Sequence, residues 1–203
     1  MNFEAALVNV SLLWLLTAPH EFAHAWVATL LGDDTPKREG RVTLNPLAHV
    51  DWLGTAILPA ITSLLGAGFL GWGRPVNTNP SRLRGGLNGM AVVALAGPAS
   101  NIVFALVLAL LAVSVRSSAP LAANYFARGV RLSLYLAIFN LLPVPPLDGS
   151  KLLLAARIPI SVYRELARFG FVLLIVLLTA TSLGLWMSQV SYDAANRIFE
   201  LFR

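Results

Sequence analysis

The chain has 203 residues, of which 57% are hydrophobic and only 12% charged, with 15 basic and 10 acidic side chains, three histidines and no cysteine. Soluble domains carry about 25% charged residues, so this chain has too little charge to solvate the surface of a soluble enzyme, and the same composition excludes disorder, collagen and coiled coil. The net charge of +5 lies in loops between apolar runs, as in membrane proteins that meet anionic headgroups; no aromatic–basic motif accompanies it, so nucleic acid is not an expected partner. Disulfides, thiolate metal sites and cysteine nucleophiles are excluded together.

The first apolar run, about Ala5 to Leu31, is too long for the apolar region of a signal peptide and no Lys or Arg precedes it. It predicts a spanning helix that stops at Gly32-Asp33-Asp34. A polar stretch from Asp34 to Trp52 follows, in which Arg41-Val42-Thr43-Leu44 predicts a short strand. The second run, Leu53 to Trp72, contains Gly54, Pro59, Gly66, Gly68 and Gly71 and reads either as a kinked span or as a re-entrant segment. Gly73 to Gly86 is a loop in which Val76-Asn77-Thr78 can pair with the first strand. Such a ribbon must be buried in protein or sit at the interface, because lipid cannot satisfy an open edge.

The third run, Leu87 to Val115, is the strongest span and includes the small-residue patch Ala96-Gly97-Pro98-Ala99-Ser100-Asn101, where helices can approach closely. Arg116 to Arg131 reads as a basic loop. The fourth run begins near Leu132, is broken by Pro143, Pro145 and Pro146, and resumes from Leu147 to Ala156. The fifth, Phe169 to Met187, is a plain span, and a short amphipathic tail ends at Arg203. The expected fold is one membrane-embedded domain over residues 1–203. It is an all-α integral membrane protein of about five transmembrane or re-entrant helical segments, with a short β-ribbon near the membrane between the first and third helices. Basic residues are shared almost evenly between the two sets of loops, so they do not fix orientation.

Two carboxylates, Glu21 and Asp148, sit inside or beside apolar runs, where a charge costs several kcal/mol unless it is paired or binds a cation. Glu21 belongs to His20-Glu21-Phe22-Ala23-His24, a complete H-E-x-x-H. On a helix, positions 20 and 24 share a face, so both imidazoles can hold one metal ion, with Glu21 placed to reach a water beside it. A catalytic zinc usually has three protein ligands and one open position. Asp148, at the helix break Pro143-Val144-Pro145-Pro146, is the preferred third ligand; its competing reading is an N-cap for the segment after it. His49 is the remaining histidine and reads as a surface or loop-capping residue rather than a ligand.

These motifs resemble the site-2 protease family of intramembrane zinc metalloproteases. The resemblance rests on H-E-x-x-H in an apolar helix together with Asn140-Leu141-Leu142-Pro143-Val144-Pro145-Pro146-Leu147-Asp148-Gly149, an Asn-x-x-Pro-x-x-x-x-Asp-Gly. The Gly97-Pro98 patch and the stretches from Gly40 to Gly54 and Gly71 to Pro80 add to it, so it covers nearly everything from His20 to Lys151. It is the compact bacterial form that is matched, and no PDZ or CBS domain fits in this length.

The resemblance implies one Zn²⁺ per chain held by His20, His24 and Asp148, with Glu21 as general base and acid. It places Asn140 near the site, to stabilise an oxyanion or orient substrate; a helix–helix hydrogen bond is an equal alternative for that side chain. It also implies a transmembrane protein segment as substrate, membrane lipid as surroundings, and the bacterial cell (inner) membrane as location. A helical substrate hides its carbonyls and must be unwound locally; the strands near Val42 and Val76 would then pair with it. Two other classes compete. A pseudoprotease that only binds membrane helices is disfavoured by the presence of Glu21 and three candidate ligands. A metal transporter needs a relay of polar ligands across the bilayer, whereas the candidates here cluster in one place.

Overall fold

A computed structural model describes residues 3–64 and 71–202. Helix α1 spans Phe3–Leu30, a short α2 Thr35–Arg38 and α3 Leu58–Leu64; α4 is Leu87–Ser114, α5 Pro120–Asn140, α6 Ser150–Ala155, α7 Ile160–Ala180 and α8 Leu183–Glu200. A 3₁₀ turn at Pro46–His49 and a π-helical turn at Trp52–Ile57 lie between α2 and α3. The two long helices expected around residues 5–31 and 87–115 form within two residues of the predicted limits.

Helix α4 packs against both α1 and α5, and α8 lies along α5. Their shared core holds Leu16, Ala105, Leu108, Ala109, Val130, Leu134 and Ala195. The inward face of α4 is mostly small, with Val93 and Leu108 its large aliphatic exceptions. Ala94, Gly97, Ala105, Ala109 and Ala112 face inward, while Val92, Leu95, Ile102, Val103, Leu106 and Leu110 are exposed. Water would favour the reverse, whereas small residues inward let helix backbones approach and large ones outward suit an apolar medium. By length and composition, α4 is the one described helix that passes alone as a membrane span; α7 and α8 pass only as a pair bent by 76°. Five spans are therefore not borne out. Glu4, His20, Glu21 and His24 give α1 ionisable side chains, which α4 lacks.

Three further expectations are corrected. No strand forms among the described residues, so the β-ribbon is absent there. The first of the two expected strand segments is tied to the residues just before the second by a side chain instead of a backbone ladder. The buried Arg41 guanidinium donates to the carbonyls of Ala48, Arg74 and Pro75, and Arg74 N–H donates to the His49 carbonyl at 2.9 Å. The basic stretch from Arg116 to Arg131 is helical from Pro120 onward, with proline at the first position, where its missing N–H costs nothing. The expected fifth span breaks at Thr181-Ser182. There the Thr181 hydroxyl donates back to Leu177 and accepts from Leu183 N–H, and the Thr181 backbone turns extended.

The two ends of the second apolar run meet. Trp72 N–H donates to the Gly54 carbonyl at 3.0 Å, and the Thr55 hydroxyl donates to the Trp72 carbonyl at 2.8 Å. The chain thus returns to where the run began; its residues 65–70 lie outside the described residues. Helix α7 seats on the proline-rich loop before α6. Leu174 packs with Val144 and Leu147, and a Cβ on Gly170 would collide with the Pro145 carbonyl.

The segment after α1 is fixed by the fully buried Asp33. Its carboxylate accepts from Thr35 N–H at 3.1 Å, from the Thr35 hydroxyl at 2.6 Å and from Asn79 N–H at 2.5 Å. Burial alone would raise this carboxyl, but those donors and the nearby Arg82 outweigh it and hold it below its ordinary value of 3.8. A depressed carboxyl stabilises the fold above the unfolded value and loses that contribution as pH falls through the folded one. Asp33→Asn, which turns an acceptor into a donor facing N–H groups, should therefore destabilise the protein at neutral pH by about 1–3 kcal/mol. The gap to wild type should narrow on acidification below pH 3.8; thermal unfolding in detergent across pH measures it, and a pH-independent gap would remove the charge from the explanation.

Candidate metal centre

Two elements far apart in sequence build the site. The middle of α1 places His20, Glu21 and His24 on consecutive turns, and all three are buried, with relative exposures of 7%, 8% and 4%. The loop from α5 to α6 supplies Asp148, 8% exposed. That loop is closed at its neck: Gly149 N–H donates to the Asn140 carbonyl at 2.7 Å, so the Asn and the Asp-Gly of the motif are tied together across the prolines between them. Asp148 does not act as a cap, because Gly149 occupies the N-cap of α6 and no side chain caps it.

Asp148 Oδ2 lies 3.1 Å from His20 Nε2 and 3.0 Å from His24 Nε2, and the two Nε2 atoms are 3.1 Å apart. His24 Nδ1–H donates to the Val93 carbonyl on α4 at 2.7 Å, which leaves Nε2 of that ring as a bare lone pair. Lone pairs converging in this way are held together by a shared proton or by a metal ion. Ligand atoms around a tetrahedral zinc are about 3.3 Å apart, given bonds of about 2.0–2.1 Å. The observed triangle is close to that size, and two imidazoles with one carboxylate are a donor set that suits zinc. Among the described residues these three form the one group of histidine, cysteine or acidic side chains able to hold a metal ion, with ligand atoms within 4.8 Å of one another. Among the described residues no second such group forms the relay that a transporter would need.

Gly97 makes the convergence possible. A Cβ there would lie 2.6 Å from Cε1 of both His20 and His24 and would overlap His24 Nε2. The small-residue patch thus serves the site as well as helix packing. Glu21 sits beside the triad, its Oε1 against Gly73, and its carboxylate has no hydrogen-bond partner among the described residues. It opens into a cavity of about 460 Å³ that is also lined by the three ligand candidates, Trp72, Asn101, Asn140, Lys151 and Phe171.

Asn140 lines this cavity, but its amide donates to the Leu136 carbonyl of its own helix at 3.0 Å, which is not the helix–helix bond considered from sequence. His49 stands apart from the triad. It is buried, not on the surface, and its Nε2–H donates to the Thr43 carbonyl at 2.8 Å, which makes it a loop fastener. Burial holds the His49 imidazole below its ordinary 6.5, against the Thr43 carbonyl and with the Arg41 charge adding to the effect, so it is neutral at pH 7. Three residues were not singled out from sequence. Lys151 Nζ donates to Asp148 Oδ1 at 2.9 Å; its spacing three residues after an acid in an apolar segment was the available signal. Arg41 carried no local signal, and Asn101, read only as part of the small-residue patch, has its Oδ1 buried without a partner.

Comparison with known proteins bears on this geometry. The sequence profile of Peptidase family M50 matches residues 115–178, the part that contains Asn140 and Asp148. The chain is 36% identical over 195 residues to the Bacillus subtilis protein named "Putative zinc metalloprotease YwhC", covering 89% of this chain and 85% of that one. It is 32% identical over 201 residues to the Mycolicibacterium smegmatis protein named "Putative zinc metalloprotease Rip2", covering 95% of this chain and 74% of that protein. The Mycobacterium tuberculosis Rip2 is 33% identical over 204 residues, with the same coverage. No solved structure matches.

Proposed function

Because the chain belongs to the site-2 protease family, peptidase family M50, we propose that it is an intramembrane zinc metalloprotease that hydrolyses peptide bonds within or near transmembrane segments of membrane proteins. The observation that carries this reading is the meeting of His20 Nε2, His24 Nε2 and Asp148 Oδ2 beside the unpartnered Glu21 carboxylate in one cavity. In this reading His20, His24 and Asp148 hold one zinc. When bound, the ion supplies Lewis acidity, polarising a peptide carbonyl and acidifying water.

Glu21 takes the proton of the attacking water and returns it to the leaving amine. Its exposure to the cavity, with no competing hydrogen bond, leaves both oxygens available for this. Asn140 keeps one amide hydrogen beyond the bond to Leu136 and can direct it at substrate. The cavity admits an extended stretch of chain more readily than a helix of about 10–12 Å diameter, so the substrate reaches Glu21 locally unwound. The outward Val, Ile and Leu side chains of α4 support contact with lipid, and the bacterial inner membrane is the proposed location.

The test is cleavage of a model transmembrane substrate by the purified protein in detergent, with bound metal measured alongside. Removal of metal by a chelator should abolish cleavage, and one equivalent of zinc should restore it. Cleavage that survives full metal removal would overturn the reading.

A further inference from the structure

Asp148 uses its two oxygens differently. Oδ2 faces both imidazole nitrogens, while Oδ1 turns away from them and accepts from Lys151 Nζ at 2.9 Å. The lysine side chain is about three-quarters shielded and lines the same cavity. Its position is not explained by α6, since a cation in the first turn opposes the helix dipole. It is explained by the carboxylate three residues before it, with which it forms a charge-assisted bond.

We propose that Lys151 is a positioning residue for the metal centre: by holding Oδ1 it makes Asp148 a one-oxygen ligand and keeps open the coordination position where substrate and water must bind. An aspartate free at both oxygens can turn onto the ion with both. That second oxygen would occupy the position a catalytic zinc needs vacant. The lysine removes this option by engaging the second oxygen in a short charged hydrogen bond, as outer-sphere partners of metal ligands do. Lys151 touches neither substrate nor metal in this role; it acts through Asp148.

The inference rests on the zinc reading above, and the experiment separates the two. Zinc affinity of the full chain in detergent is measured by competition with a chelator, and the Co²⁺-loaded protein is examined by visible absorption, whose band intensity falls when the ion gains a ligand. Lys151→Met should weaken zinc binding by about 10–100-fold and dim the Co²⁺ bands as the carboxylate becomes bidentate. Lys151→Arg, which can still donate to Oδ1, should restore most of both. Should Lys151→Met fail to accumulate, Lys151→Ala, which likewise has no donor for Oδ1, carries the same two readings. Wild-type affinity and an unchanged Co²⁺ spectrum without the lysine charge would overturn the inference while leaving the metal site intact. A wild-type protein that binds no zinc, or an Asp148→Ala variant that binds it fully, would overturn the metal reading itself.

Discussion

Glu21→Gln should lower cleavage by about 100–10,000-fold, the usual contribution of a positioned general base, while bound zinc stays at the wild-type level. The two effects separate because Glu21 is not among the three converging ligand atoms. The substitution keeps the shape of the side chain and removes only its charge and proton affinity. It should also leave the unfolding temperature unchanged or raise it. Glu21 is 8% exposed and has no hydrogen-bond partner among the described residues, so its carboxylate is a charge kept at a cost to the fold. Lost activity with equal or greater stability is the pattern of a residue retained for chemistry. A fall of less than about tenfold would remove Glu21 from the base role.

Gly97→Ala should cost the metal. The new methyl would fall 2.6 Å from Cε1 of both histidines, well inside van der Waals contact. His24 cannot step aside freely, because its Nδ1–H is bonded to Val93 on the same helix that carries Gly97. Either α1 and α4 separate or the rings turn away from Asp148. Zinc affinity should drop by at least about 10–100-fold, as it does when ligand orientation is lost, and cleavage should fall with it. Helix propensity alone predicts the opposite sign for stability, since alanine in a helix interior is favoured over glycine by about 0.5–1 kcal/mol. A variant that is more stable and binds zinc normally would show slack between the two helices that the structure does not contain.

What could be read in the sequence follows from how local each signal is. His20, Glu21 and His24 were legible because helical spacing alone puts the imidazoles on one face, and the structure brings Asp148 to them on the loop that the Gly149–Asn140 bond closes. The strands near Val42 and Val76 were misread because β-branched residues signal extended backbone without saying what satisfies it. The side chain of Arg41, the first residue of the first segment, supplies the donors that a partner strand would have supplied. The closure of the second run is not legible in the sequence, because its bonds join Trp72 to Gly54 and Thr55, a pairing that spacing does not encode. Lys151 looked like one more loop base, since its partner oxygen became visible only once Asp148 was oriented.

The seating of α7 on the proline loop has a mechanical consequence. Gly170 meets the Pro145 carbonyl with no room for a side chain, and Leu174 is wedged between Val144 and Leu147. One wall of the cavity therefore rests on the same short loop that aims Asp148, only three residues beyond Pro145. The shape of that wall and the aim of Asp148 thus depend on one loop, joined to α7 at Gly170.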